Sequence, residues 1–233
     1  MAPFFEAPAR WFYLQLPRAW HDTPTSWLQR HFGNESNVCF VQIGAYDGRA
    51  GDPVRPLILN HPDWRGALIE PQTSAFAQLR QNYADVTCDL KFFNCAISTE
   101  RGHLEMYEIE ESEIARLKLP SWAREISSFS EAHVTRHFPN VRTSKRFVPV
   151  MTLRDVIVDC KFTRVDLIVM DVEGHEFPIL DDVDFETLRV RALVFEHKHM
   201  VENEYEAALA KLKAHHFRIR SYGRDTVAYR SLI

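Results

Sequence analysis

Apolar residues in this chain fall into short unbroken runs, separated by stretches in which they recur every three or four positions. The runs are VCFVQI (38–43), GALIE (66–70), KFFNCAIS (91–98), VDLIVMD (165–171) and RALVFEH (191–197). Each is short and nearly continuously apolar, so each reads as a strand buried on both faces. Between them, TSAFAQLRQNY (73–83) sets Phe76, Leu79 and Tyr83 at i, i+3 and i+7, a helical stripe. Thr152 and Asp155 make a capping-box pattern that opens LRDVIV. ENEYEAALAKLKAHHF, from Glu202, keeps Tyr205, Ala208, Leu209 and Leu212 on one face. Strands alternating with helices predict an α/β fold with a mostly parallel sheet, because parallel neighbours need crossover connections. FRIRSY and TVAYRSL, flanking Gly223-Arg224-Asp225, predict a closing hairpin that adds one antiparallel strand.

Two segments break this rhythm. Residues 1–35 are rich in aromatics, including Phe4, Trp11, Trp20, Trp27 and Phe32. They predict a helical N-terminal segment, with Thr25 as a cap and Gly33 as a stop. Residues 108–149 are polar and hold Pro120, Pro139 and Pro149. They read as an inserted lid of short helices and turns, with Ser130 capping EAHVTRHF. The domain organisation expected is therefore 1–35 as the helical segment and 36–233 as the main domain, with the insertion at about 108–149 on the substrate side.

Composition narrows the class. The chain has 233 residues, 45% hydrophobic and 26% charged, with a formal net charge of −4, as in ordinary globular proteins. No run of lysine or arginine stands out, which argues against a nucleic-acid partner. Cys39, Cys88, Cys95 and Cys160 are widely spaced, with no CxxC, and read as buried free thiols of a reducing compartment. No stretch approaches the ~20 apolar residues of a membrane span, and the N-terminus lacks the charge and apolar core of a signal peptide. A cytoplasmic location is expected.

The chemistry starts at FVQIGAYDGRAGDP (40–53), a strand running into a glycine-punctuated loop. Asp52-Pro53 at its end predicts a helix start. A dinucleotide fingerprint needs glycines at 44, 46 and 49, and Tyr46 and Arg49 stand at two of these. A P-loop needs Gly-Lys-Ser/Thr, and Asp-Pro follows Gly51 instead. Asp47 and Asp52 add negative charge where a phosphate would sit. A ligand with a positive centre and no phosphate fits better. Glu70 ends the second strand, where an acid in doubly wound folds meets a ribose diol. Together these features point to S-adenosylmethionine, whose sulfonium is a cation and whose nucleoside carries a ribose. The loop backbone would serve the amino-acid end, and Asn94 to Ala96 would lie by the adenine.

Acids and histidines cluster at two later strand ends. Asp171, Glu173 and Glu176 follow the fourth strand, with Glu176 read as a solvated acid at a helix start. Glu196, His197 and His199 follow the fifth. A base or substrate-orienting role is favoured for this group. A divalent metal is the second option and is not favoured. His133 and His137 are spaced i, i+4, but Val134 replaces the glutamate that zincin chemistry requires. They read as a solvated helical face, with substrate contact the alternative.

FVQIGAYDG, ALIEPQTSAFAQLRQNY, NCAIS, VMDVEGHEFPIL and VFEH, in this order, resemble the FkbM-type S-adenosylmethionine-dependent methyltransferases. The resemblance covers roughly residues 38–200. It implies a class I methyltransferase (Rossmann-like) fold, with a mostly parallel seven-stranded sheet and a C-terminal antiparallel hairpin. It implies methyl transfer to a hydroxyl of a sugar or natural product, a small-molecule or glycan acceptor, in natural-product or polysaccharide biosynthesis. Carried over by position, Gly44, Ala45, Asp47 and Gly48 would line the methionine part, and Glu70 the ribose. Asn94, Cys95 and Ala96 would flank adenine, Asp171 would lie by the methyl group, and Gln42, Tyr46 and Pro71 would also contact the cofactor. Two positions depart from the pattern: Tyr46 stands where the family often has Asn, and Gln42 where an acid is common. The candidate bases are His197, then Glu196, Asp171 and His175. Two rivals remain at this stage: a nucleotide-sugar or nicotinamide oxidoreductase, and a non-catalytic module that keeps the fold. The oligomeric state is open, a homo-oligomer included.

Overall fold

The computed structural model describes residues 23–49 and 51–231. The aromatic residues expected to pack N-terminally up to Trp20 lie outside the described residues. The chain enters through α1 (Pro24–Phe32), capped by Thr23 and not by Thr25. Thr23 and Ser26 bond each other's backbone amides in a capping box, and Pro24 occupies the first turn, so the helix starts ahead of the expected cap.

Then come β1 (Cys39–Ile43), the single turn α2 (Arg55–Ile58), β2 (Arg65–Ile69), α3 (Thr73–Asn82) and β3 (Asp89–Phe93). The next segment holds β4 (Ala96–Ile97), β5 (Gly102–Ile109), α4 (Glu111–Leu117), β6 (Ser127–Ser128), α5 (Glu131–His137) and β7 (Thr143–Met151). The chain closes with α6 (Leu153–Cys160), β8 (Leu167–Met170), α7 (Glu176–Asp182), α8 (Phe185–Leu188), β9 (Ala192–Glu196), α9 (Glu202–Ala214), β10 (Arg218–Tyr222) and β11 (Asp225–Tyr229).

The main sheet has seven strands in the order β10-β11-β9-β8-β1-β2-β3. β3, β2, β1, β8 and β9 are mutually parallel, and β11 runs antiparallel to both β9 and β10. The expected hairpin thus supplies the one reversed strand. The continuous apolar runs have a direct cause, because helices cover both faces. Val41, Ile43, Ile168, Met170, Leu193 and Phe195 pack with α6, α7 and α9 on one face. Phe40, Leu68, Leu167, Val169 and Val194 pack with Trp27, Phe32, Leu57, Trp64 and Leu79 on the other.

Two local expectations change. The run KFFNCAIS is not one strand. β3 ends at Phe93, and Ala96 and Ile97 join a second sheet, of order β4-β7-β5-β6. The break is Asn94, whose side-chain amide donates to the carbonyls of Glu70 (2.8 Å) and Pro71 (3.2 Å). The segment read as helices and turns contains those helices, but its frame is an antiparallel ribbon. β5 and β7 pair from Gly102 with Val150 to Ile109 with Thr143.

Candidate active site

The strand order turns about β1, with β2 and β3 on one side and β8 and β9 on the other. In open α/β sheets the crevice beyond the strand ends at such a point is where ligands bind. A cavity of about 240 Å³ lies there. The ends of β1, β2 and β8 supply Gly44, Glu70 and Asp171 to its wall, and the second sheet supplies Met106, Ser127, Ser128 and Phe129.

The glycine loop is bound to the protein itself. Gly44 has φ +79°, and a Cβ there would lie 1.8 Å from the Asp171 carbonyl oxygen. Gly48 has φ +68°, and a Cβ there would meet the Tyr83 ring at 2.4 Å. The close approach expected for a ligand is made by neighbouring strand and helix. The loop amides are also engaged. Gly44 and Ala45 both donate to the Ile69 carbonyl at 3.0 Å, and Gly48 donates to the Ala45 carbonyl at 2.9 Å. Tyr46 donates to Glu70 Oε2 at 2.8 Å. These four amides therefore close the turn within the protein itself. Tyr46 sits at φ +46°, a left-handed conformation that Asn tolerates better than Tyr. It lines the cavity, and burial, reinforced by the negative charge of Glu125, pushes its phenol up to about 12.

Glu70 is 3% exposed. Its second oxygen accepts from the Gln72 amide at 2.7 Å. Burial outweighs both backbone bonds and lifts its carboxyl to about 7. Asp171 projects into the open cavity, so solvent reaches it. Protein walls it elsewhere, and that burial, with Glu173 and Asp225 adding repulsion, raises it to about 7. Glu176, expected at the surface, is fully buried. Its oxygens accept from the amides of Val172 (2.9 Å) and Gly174 (3.1 Å), which fixes the loop after β8.

Of the expected site residues, Gln42, Gly44, Ala45, Tyr46, Glu70, Pro71, Cys95, Ala96, Asp171 and His175 line the cavity. Asp47, Gly48 and Asn94 do not. They shape its wall from behind: Asp47 Oδ1 accepts from the Arg49 amide at 2.8 Å, Gly48 packs on Tyr83, and Asn94 clamps the end of β2. Glu196 is buried behind the cavity, grouped with Asp171 and Glu173, each offering an oxygen within 4.8 Å of the others. His197 is not brought to the cavity wall. Its ring stacks on Tyr205 at 4.6 Å, and its Nδ1 lies 2.9 Å from Thr226 Oγ1. His197 follows the last residue of β9, where its amide donates to the Arg224 carbonyl at 2.8 Å and its ring is held between α9 and β11.

Sequence reasoning missed Asp225, Glu125 and the Ser127-Ser128-Phe129 segment as cavity residues. The hairpin turn placed Asp225 in plain view, but only the sheet order shows that β11 lies next to β9. Ser127 and Ser128 form β6, with Glu125 and Phe129 flanking it, in the inserted segment whose strands were not foreseen. Among the described residues lining the cavity are six carboxylates (Asp52, Glu70, Glu125, Asp171, Glu173 and Asp225) and no lysine or arginine.

A family profile described as methyltransferase FkbM domain matches residues 42–219. The chain belongs to the FkbM methyltransferase family. No curated protein matches the sequence. Among solved structures, it is similar to a methyltransferase FkbM from Methylobacillus flagellatus KT, with TM-score 0.55 and 13% identity. That match covers 89% of this chain and 48% of the other, so this FkbM chain spans about half the length of that relative. It is also similar to a precorrin-6y C5,15-methyltransferase from Geobacter metallireducens GS-15, with TM-score 0.45, 12% identity and coverage of 89% and 86%. A third is a SAM-dependent O-methyltransferase from Thermotoga maritima, with TM-score 0.44, 8% identity and coverage of 90% and 65%. The FkbM chain has the class I methyltransferase fold, and none of its described helices is long and apolar enough to cross a membrane.

Proposed function

We propose that the cavity binds S-adenosylmethionine and that the protein methylates a hydroxyl of a sugar or natural-product-type acceptor. The observation that carries this reading is the charge of the wall: six carboxylates, with no lysine or arginine among the described lining residues. Such a wall repels phosphates and attracts a sulfonium and an ammonium. Gln42 supports the fit. Its Oε1 is buried at the cavity wall without a hydrogen-bond partner, and a ligand ammonium would satisfy an acceptor that is otherwise costly to bury. Glu70 is placed for the ribose and Cys95 and Ala96 for the base, as the family resemblance implies.

S-adenosylmethionine supplies a methyl group on a positively charged sulfur, an electrophile that needs alignment more than activation. The chain's own task is to hold the acceptor and take its proton. Asp171 is placed for that, at a strand end facing the open cavity, with a carboxyl raised to about 7. A base poised near neutrality is effective as the hydroxyl becomes an ether. His175 is the second group. Its Nε2 lies 3.1 Å from Ser98 Oγ, Phe129 meets its ring edge-on, and burial lowers its pKa. It stays neutral and orients the acceptor. Ser127 and Phe129, also on the cavity wall, suit a polar ring substrate.

The test is calorimetric titration of the chain with S-adenosylmethionine and S-adenosylhomocysteine. Binding is expected, and Glu70→Ala should weaken it at least about tenfold, the loss of a charged hydrogen-bond partner. Asp171→Asn should keep that binding and lose on the order of 10²-fold or more in turnover, read as S-adenosylhomocysteine formed over a panel of hydroxylated acceptors. If the wild-type chain binds neither compound, methyl transfer is the wrong reading and a partner-binding role of the retained fold takes its place.

A further inference from the structure

The two histidines of α5 do not form the solvated face expected: one is buried and the other half-buried. His133 is buried, and its Nε2 lies 3.0 Å from Glu173 Oε2. His199, from the loop after β9, brings its own Nε2 to 3.4 Å from the same oxygen. His137 completes the group. Its ring stands 5.0 Å from that of His133 and 5.3 Å from that of His199, and those two rings are 4.4 Å apart. One donor atom from each of the four residues falls within 4.8 Å of all the others. These side chains come from three separate places: the inserted segment, the loop after β8 and the loop after β9.

Three imidazoles and one carboxylate around a common point form the donor set of a borderline metal ion. The spacing agrees. A tetrahedral ion with bonds of about 2.0–2.1 Å holds its ligand atoms about 3.3 Å apart, and the two contacts to Glu173 Oε2 are 3.0 and 3.4 Å. A supporting contact is also in place. His137 Nδ1 lies 3.1 Å from the His133 carbonyl. Only a protonated nitrogen donates to a carbonyl, so Nε2 is the nitrogen that His137 keeps free. Ser128 Oγ donates to the Glu173 carbonyl at 3.1 Å, and Ser130 Oγ caps α5 through the His133 amide. The loop and the helix are each braced by the insertion around the four donors.

We propose that His133, His137, Glu173 and His199 bind one divalent transition-metal ion of the zinc type. The ion ties the inserted segment to the loops after β8 and β9. Because Glu173 also lines the cavity and Asp171 lies two residues before it, the same bond fixes the acceptor-side wall. Four protein ligands make the site closed, so its role is to hold this wall and not to carry the reacting oxygen. The site requires only these four side chains and stands whether or not methyl transfer is the activity.

The experiment uses the tag-free full chain, stripped with EDTA, dialysed, and titrated with zinc chloride and separately with cobalt chloride. One metal per chain is expected by elemental analysis, with the intense visible absorption of tetrahedral cobalt. His137→Ala and His199→Ala should each weaken zinc binding on the order of 100-fold or more, beyond what removal of a merely supporting partner causes. His103→Ala, on the exposed ribbon strand β5, should bind as the wild type does. Binding of S-adenosylhomocysteine, measured in parallel, shows whether the variants retain their fold and keeps the two readings separate. Absence of stoichiometric zinc and cobalt binding by the wild-type chain overturns the proposal. So does wild-type affinity in both histidine variants.

Discussion

Tyr46 is the residue at which sequence and conformation disagree most. A tyrosine at φ +46° carries the steric cost of Cβ against the following carbonyl, roughly 1–2 kcal/mol. The conformation is imposed by its amide bond to Glu70, which turns the loop back onto β2. Tyr46→Asn should raise the melting temperature of the ligand-free chain by a few degrees, since Asn tolerates this region. It should also weaken S-adenosylhomocysteine binding, because Tyr46 is part of the cavity wall. A lower melting temperature would mean that packing of the ring outweighs its backbone strain. Gly44→Ala tests the opposite case. Its φ of +79° and the 1.8 Å approach to the Asp171 carbonyl leave no room for a methyl. The two strand ends would have to part, and loss of the folded chain from the soluble fraction is expected. The strand-loop-glycine pattern made this loop legible in the sequence. What the glycines approach was not legible, because both partners, Asp171 and Tyr83, are distant in the chain.

Elements were readable where burial was symmetric. β1, β2, β8 and β9 carry helices on both faces, so their apolar runs needed no knowledge of partners. β5 and β7 form a ribbon with one solvated face. In β7, Val148 and Val150 are buried, while Phe147 is 67% exposed and Pro149 is also exposed. The alternation is present, but an exposed Phe and a Pro obscure it. Glu176 escaped for a related reason. An acid at a helix start is ordinarily solvated, and only the fold shows two loop amides that need its oxygens. The capping box of α6 was legible because it is local: Thr152 accepts from the Asp155 amide at 3.1 Å, and Asp155 accepts from the Thr152 amide at 3.0 Å. Thr152→Ala should cost about 1 kcal/mol, read as a lower urea midpoint with unchanged slope. No change in midpoint would show that Arg101, paired with Asp155, holds the turn without the cap.

At the scale of the whole molecule, the site stores like charge. Glu70 and Glu176 are almost fully buried, and both are raised to about 7, chiefly by burial. Their carboxyls in the unfolded chain titrate near the ordinary 4.5. Between about pH 4.5 and 7 the folded chain therefore binds protons that the unfolded chain has released, and stability falls as pH rises through that window. Each group contributes about 3 kcal/mol to the fall over that window. For a chain of this size the melting temperature should drop by roughly 10 °C between pH 5.5 and 8.5. Glu113 works in the other direction: its hydrogen bonds to Arg116 and Arg142 hold it down to about 2, so its contribution is present above the ordinary carboxyl value and is lost in more acidic solution. The most stable state of the ligand-free chain thus lies in mildly acidic solution. A cationic ligand should reverse part of the alkaline loss, because above pH 7 it meets ionised carboxylates. S-adenosylmethionine should accordingly raise the melting temperature more at pH 8.5 than at pH 5.5. Thermal scans at both values, with and without the ligand and with EDTA throughout, give the comparison. A ligand-free melting temperature that stays flat or rises toward pH 8.5 would show that the buried acids are ionised and paired in the folded chain. The charge argument for the cavity is tested separately by the ligand's effect, since of the six wall carboxylates only Glu70 also enters the stability argument.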